Sequence, residues 1–232
     1  MVFGGLQKQS LIDFPEKMSC VLFLSGCNFE CPYCHNPELV RGTPGCHPVS
    51  EEAGVYDFLE KRKTFLDGVV ISGGEPTLNE DLTSLCKRIK QMGYPVKLDT
   101  NGSRPQVIQR LLEEGLVDYV AMDIKTDPSY YGSLVKYENN PDLIFQSIHL
   151  IMALAPAYEF RTTCVKPIVD ENIIETIATN IQGAMLYALQ RFHSEEVLNP
   201  AFFQDSHGAY AEDEMMELKS IATPWVRKCI VR

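Results

Sequence analysis

Six short apolar runs, each rich in β-formers and each followed by a helix-like or polar stretch, constrain this chain more than any other feature. The runs are CVLFLS (20–25), GVVIS (68–72), PVKLD (95–99), YVAMDI (119–124), YEFRTT (158–163) and AMLYAL (184–189). Between them, apolar residues recur at helical spacing. One stripe is Leu82, Leu85, Cys86 and Ile89, and a second is Val107, Ile108, Leu111 and Leu112. Two more are Leu143, Ile144, Ile148 and Ile151, then Ile173, Ile174, Ile177 and Ile181. Thr77 with Glu80 reads as a capping box for the first helix, and Gly115 as the residue that ends the second. Strands alternating with helices pair in parallel through right-handed crossovers. Six units in 232 residues predict an α/β fold, an open, partial (β/α)6 TIM-like barrel with fewer than the full eight units. No repeat, low-complexity tract or linker divides the chain. Residues 1–232 therefore read as a single domain, with its core at about 18–192 and an extension at 193–232. The sixth run also fits a helix, and the extension shows no single pattern.

Polar residues fall where the runs end. The first leads into CNFECPYCHN (27–36), the second into GGEP (73–76), and the third into DTNG (99–102). The fourth leads into DIK (123–125) and the fifth into RTT (161–163). Side chains at the carboxyl ends of barrel strands converge on one mouth, so these segments would surround one ligand. Each alone is weak, since Gly-Gly and Asp-Thr-Asn-Gly are most often turns. Their chemistry is coherent together. Gly73 and Gly74 let backbone approach a ligand closely, Glu75 offers an acceptor, and Pro76 stiffens the loop. Asp99, Thr100 and Asp123 could hold an amine, ribose hydroxyls or a hard monovalent cation. Lys125 and Arg161 could hold a carboxylate. The mouth suits a ligand with amino, carboxylate and sugar groups.

Cys27, Cys31 and Cys34 stand in C-x3-C-x2-C spacing without a fourth cysteine beside them. Zinc and complete iron–sulfur clusters ordinarily take four protein ligands. Either a distant residue completes a zinc site (Cys46, His35 or His47) or one coordination position is left open. Cys20, Cys86 and Cys164 lie in apolar contexts and read as small buried hydrophobes. Composition bears on the partner. Lys and Arg number 21 against 31 Asp and Glu, a formal charge of −10, which disfavours nucleic acid. No apolar run approaches a membrane span, and the N-terminus lacks a signal-peptide apolar region. The expectation is a cytoplasmic protein without nucleic-acid or membrane partners, whose clustered cysteines serve metal or redox chemistry.

With Tyr33 before the last cysteine and Gly73-Gly74-Glu75-Pro76 downstream, CNFECPYC resembles the radical S-adenosylmethionine (SAM) enzymes. SGCNFECPYCHN, ISGGEPTL, LDTNG and MDIK resemble, more narrowly, the activating enzymes of glycyl radical enzymes. The nearest look is to the longer form of anaerobic ribonucleoside-triphosphate reductase activating proteins, with pyruvate formate-lyase activating enzymes as relatives. GLQKQSLIDFPEK and LQRF fit that longer form, and the resemblance spans roughly 4–192. It implies a radical SAM domain with a [4Fe–4S] cluster on Cys27, Cys31 and Cys34, whose open iron binds S-adenosylmethionine. Reductive cleavage would give methionine and a 5′-deoxyadenosyl radical, which takes hydrogen from a glycine of a partner glycyl radical enzyme. By position, Tyr33 would lie along the adenine and the GGEP segment at the methionyl amine. Asp99, Thr100 and Asp123 would lie near the ribose or a monovalent cation, and Lys125 and Arg161 near the carboxylate. Asn101 and Thr163 are counted with the cofactor-binding residues.

The paired cysteine motifs of an inserted ferredoxin-like domain are absent, so one cluster is expected, reduced by an external flavodoxin or ferredoxin. A glycine-rich adenine segment is also absent after the fifth run, where KPIVDEN stands. His35 is a family marker without an assigned role. Gln190, Phe192 and His193 read as core or rim residues as readily as cofactor contacts, and His207 and Tyr210 as a surface loop. Two alternatives remain at this level: a radical SAM enzyme acting on a small molecule or peptide side chain, and a non-catalytic zinc or iron–sulfur protein.

Overall fold

A computed structural model describes residues 2–41, 52–134, 140–194, 196–203 and 208–232. Cys46, His47 and His207 lie outside the described residues. The described strands form one open sheet in strict sequence order, β1 to β8. The six expected runs are β2 (Ser19–Leu24), β3 (Gly68–Gly73), β4 (Val96–Thr100), β5 (Tyr119–Asp123), β6 (Tyr158–Cys164) and β7 (Tyr187–Arg191). All six pair in parallel. Two edge strands had no counterpart in the sequence reading. β1 (Phe3–Ser10) pairs antiparallel with β2, and β8 (Cys229–Val231) pairs parallel with β7.

The helices are α1 (Pro37–Arg41), α2 (Glu52–Lys61), α3 (Leu82–Gln91), α4 (Pro105–Glu113), α5 (Pro141–Leu154), α6 (Glu171–Asn180) and α7 (Glu212–Ala222). Their apolar stripes pack on one face of the sheet. Leu85 and Ile89 of α3, Ile108 and Leu111 of α4, Ile148 and Ile151 of α5, and Ile174 and Ile177 of α6 all join the main core. Gly115, at φ +64°, ends α4 as expected. The capping box does not form. Thr77 lies in a 3-10 turn over Pro76–Leu78 and gives its hydroxyl to Glu75, and Asp81 precedes α3 without a side-chain cap. The sixth run is a strand that starts at Tyr187 rather than at Ala184. No described helix is long and apolar enough to cross a membrane.

Strand residues alternate between faces, so the neighbours of the core residues line the inner side. Phe14, Val21 and Val70 form a separate apolar cluster there, with Phe23 and Tyr119 packed on it. Charged inner residues then follow: Lys97 and Asp99 on β4, Asp123 on β5, and Glu159 and Arg161 on β6. The extension completes this face. The Arg232 guanidinium meets the Glu159 carboxylate through two bonds, of 3.1 and 2.7 Å, and Glu159 is only 1% exposed. Removing one partner of a buried pair strands the other charge. Arg232→Ala should therefore lower stability by about 3 kcal/mol in urea unfolding, and adding Glu159→Gln should recover part of the loss. An unchanged unfolding midpoint in the single variant would contradict this.

Candidate functional site

The cysteine loop leaves β2 through Gly26, which holds φ +94°. It is anchored at its edges: the Gly26 N–H donates to the Leu39 carbonyl at 2.7 Å, and the Glu30 N–H to the Leu134 carbonyl at 2.7 Å. Phe29 packs edge-on against Tyr131 at 5.6 Å. The loop rests on the GGEP segment. The Gly74 N–H donates to the Leu24 carbonyl and the Glu75 N–H to the Gly26 carbonyl, both at 2.8 Å. A Cβ on Gly73 would fall 2.3 Å from the Leu24 carbonyl oxygen, and one on Gly74 would fall 2.1 Å from that of Gly26. The two glycines are thus needed where backbone meets backbone, whatever they offer a ligand.

Glu75 is fully buried and all four of its partners are donors. Thr77 supplies its backbone N–H and its hydroxyl, Thr100 its hydroxyl, and Asn101 its backbone N–H at 2.6 Å. Glu75 therefore ties the loop after β3 to the end of β4. Asn101 extends the tie, since its side-chain amide donates to Asn28 in the cysteine loop at 3.0 Å. The acceptor expected to face a ligand is instead occupied by the chain itself.

Above these contacts lies a cavity of about 280 Å³. Cys27, Cys31, Cys34 and Tyr33 line one wall, and Gly73, Gly74, Asp99, Thr100 and Asn101 another. Asp123, Lys125, Arg161 and Thr163 complete it. Of the sequence-predicted residues, only Glu75 and Pro76 stand outside the lining. Ser72, Phe29, Asn36 and Val40 line it without having been anticipated. Ser72 was findable, because it shares strand parity with inward-facing Val70. His35 and Gln190, left without a role in the sequence reading, also reach the cavity. KPIVDEN contributes nothing to the lining, and its Asp170 caps α6 through a bond to the Ile173 N–H.

A charge network crosses the far wall. Arg161 Nε bonds Asp123 at 2.7 Å, Lys125 bonds its other oxygen at 2.9 Å, and Arg161 also reaches Asp99 at 3.4 Å. Lys97, only 2% exposed, pairs with Asp99, to which the Ser72 hydroxyl donates at 3.2 Å. Burial would raise the Asp123 pKa, but Arg161 and Lys125 outweigh it and hold the carboxyl well below the usual range. Along the lining Lys125 and Arg161 balance Asp99 and Asp123, and buried Lys97 behind them brings the network to three cations against two carboxylates.

Burial pushes the Cys27 thiol up to about 12 and Cys31 up to about 11, so a cationic metal is needed to make them thiolates at neutral pH. Among the described residues, no three His, Cys, Asp or Glu side chains converge tightly enough to hold a single ion. His35 has Nε2 committed to the His193 carbonyl, which withdraws that nitrogen from a zinc site. Three thiols around one open cavity fit a multi-iron cluster with an open position better than tetrahedral zinc.

Comparison with known proteins agrees. The description of the radical SAM superfamily matches residues 21–179. A Methanocaldococcus jannaschii protein, provisionally named a glycyl-radical enzyme activating enzyme, is 37% identical over 99% of this chain and 95% of its own. The pyruvate formate-lyase-activating enzyme of Clostridium pasteurianum is 32% identical over 54% of each chain. Streptococcus suis SuiB, solved with its precursor peptide SuiA, aligns with a TM-score of 0.66 at 14% identity. That alignment covers 90% of this chain and 48% of SuiB, a likeness of fold.

Raised thiol pKa values mean little thiolate near neutrality. In cluster-free protein at about pH 8, Cys27 and Cys31 should react with iodoacetamide roughly 100-fold more slowly than in the denatured chain. Their rates should climb about tenfold per pH unit up to pH 10, because thiolate grows in that proportion below the pKa. Mass-spectrometric peptide mapping reads both, and folded rates equal to denatured ones would contradict the burial argument.

Proposed function

The chain belongs to the radical SAM superfamily and, within it, to the glycyl-radical enzyme activating enzymes, and on that premise we propose that it installs a glycine-centred radical on a partner glycyl radical enzyme. The observation that carries the proposal is the placement of three thiols on one wall of an open cavity and of Lys125 and Arg161, paired with Asp99 and Asp123, on another. When bound, a reduced [4Fe–4S] cluster with S-adenosylmethionine supplies one-electron cleavage of the sulfonium bond and abstraction of a hydrogen atom from glycine Cα.

This chain's residues then bind, orient and exclude. Cys27, Cys31 and Cys34 hold the cluster. Lys125 and Arg161 draw in the carboxylate of S-adenosylmethionine, already aligned by Asp123. Gly73 and Gly74 bring backbone to its amine, and buried Glu75 keeps that backbone in place rather than taking the amine itself. Asp99, Thr100 and Asn101 face the ribose, while the pairing of Asp99 and Asp123 with Arg161, Lys125 and Lys97 disfavours a monovalent cation there. Tyr33 lies along the adenine, and Thr163 completes the wall.

The other described cysteines, Cys20, Cys86, Cys164 and Cys229, are buried and none of them lines this cavity, which supports a single cluster and an outside reductant such as flavodoxin or ferredoxin. The resemblance of GLQKQSLIDFPEK to the longer activating proteins favours anaerobic ribonucleoside-triphosphate reductase as the partner. All eight described strands share one sheet, which supports action as a single domain.

The test is anaerobic incubation of reconstituted protein with S-adenosylmethionine, reductant and glycyl radical enzymes. Electron paramagnetic resonance should show a glycine-centred doublet on the partner, with release of 5′-deoxyadenosine. Cys27→Ala, Cys31→Ala and Cys34→Ala should each abolish both signals, and Cys86→Ala should leave the cluster intact. Release of 5′-deoxyadenosine with no doublet on any such partner would point to a small-molecule or peptide substrate instead.

A further inference from the structure

The chain beyond β7 lies against the cysteine loop and touches it on both sides of Cys34. The buried Phe192 ring stacks on the His35 imidazole at 5.8 Å and 22°, and meets Tyr33 edge-on at 6.5 Å. His35 Nε2 stands 2.6 Å from the His193 carbonyl. A carbonyl only accepts, so Nε2 carries the proton and donates. Farther along, the Leu198 N–H donates to the Cys34 carbonyl at 2.9 Å, and the Asn199 N–H to the Pro32 carbonyl at 3.0 Å.

This strap has its own footing. Phe203 stacks on Phe192 at 5.0 Å. Gly208 sits against both rings, where a Cβ would fall 2.7 Å from Phe203 and 3.0 Å from Phe192. The Gly208 carbonyl accepts from the Lys166 N–H at 2.9 Å, which fastens the strap to the loop after β6. The cysteine loop has little regular structure to hold its own shape. Among the described residues, the strap's hydrogen bonds and ring contacts to the loop fall on Pro32, Tyr33, Cys34 and His35.

We propose that this strap sets the shape of the loop around the third thiol, with His35 and Phe192 as positioning residues for the cluster. The inference rests on the reading that Cys27, Cys31 and Cys34 carry an iron–sulfur cluster. It extends that reading past LQRF to a segment, 193–208, that carries no recognisable sequence motif. Loss of outer contacts that orient ligands typically weakens metal affinity by roughly 10- to 100-fold. Hydrogen bonding and solvent exposure around the sulfurs also tune the cluster.

The test compares wild type with Phe192→Ala, His35→Ala and His35→Gln, whose amide can still donate to the His193 carbonyl. In cluster-free protein, hydrogen exchange should find the Leu198 and Asn199 amides protected, and less so in Phe192→Ala. After anaerobic reconstitution, iron loss to a chelator, followed by visible absorbance, should quicken roughly tenfold in both alanine variants and stay near wild type in His35→Gln. Leu198→Pro deletes one strap donor without touching the aromatic stack. It should act in the same direction and serves if an alanine variant fails to fold by circular dichroism. Unprotected Leu198 and Asn199 amides in wild type would overturn the strap. Protected amides with unchanged iron loss in folded variants would overturn the positioning role and leave the cluster reading standing. A wild-type protein that assembles no iron–sulfur cluster would remove that reading and the proposal with it.

Discussion

The mouth of this barrel depends on one close approach, where the backbone after β3 lies directly on the backbone after β2. Gly74 and Glu75 donate to carbonyls at the start of the cysteine loop, and Gly73 and Gly74 leave no room for a Cβ. Contact through backbone atoms is short and stiff, and it registers the loop against the sheet without long side chains. Glu75 carries the same registration to β4 through Thr100 and Asn101. Three consecutive strand-end loops are thereby tied into one frame, and the thiols hang on it.

The two faces of the sheet follow different physics. Toward the helices, burial of aliphatic side chains supplies the stability, as in any α/β fold. The inner face carries Lys97, Asp99, Asp123, Glu159 and Arg161, whose desolvation is tolerated only because each is paired. Buried ion pairs are poor sources of stability, so their concentration beside the cavity marks a surface shaped for a charged ligand. The extension serves both ends of this face. Arg232 neutralises Glu159 deep in the sheet, and the strap of Phe192, Leu198 and Asn199 braces the cysteine loop at the mouth.

Much of this was legible beforehand. Apolar runs placed β2 to β6 and period-3.6 stripes placed α3 to α6, because burial on both sides of a parallel strand leaves a clear apolar run. The cavity wall was legible for the same reason: a polar residue closing such a run has nowhere to go but the mouth. Edge strands escaped notice. β1 contains FGGLQKQS, with glycines and exposed polar residues, and β8 has only three residues. Thr77 misled because a Thr three residues before a Glu is a helix-start pattern, whereas its hydroxyl is spent on Glu75. The role of Glu75 itself was misjudged, because an acceptor in a glycine-rich loop reads the same whether it faces a ligand or its own chain.

By itself the sequence determined the order of the six central strands, the cysteine spacing and most of the residues at the mouth, since these follow from local periodicity and from where polar residues interrupt it. Only the tertiary structure decided how those residues divide the work. Arg161 bridges Asp123 and Asp99 while Lys125 holds the second oxygen of Asp123, Glu75 turns inward, and Phe192 and Leu198 return to brace Cys34. Apart from the Lys125–Asp123 pair, these contacts join positions between 26 and 164 residues apart, and no local pattern encodes a distance across the sheet.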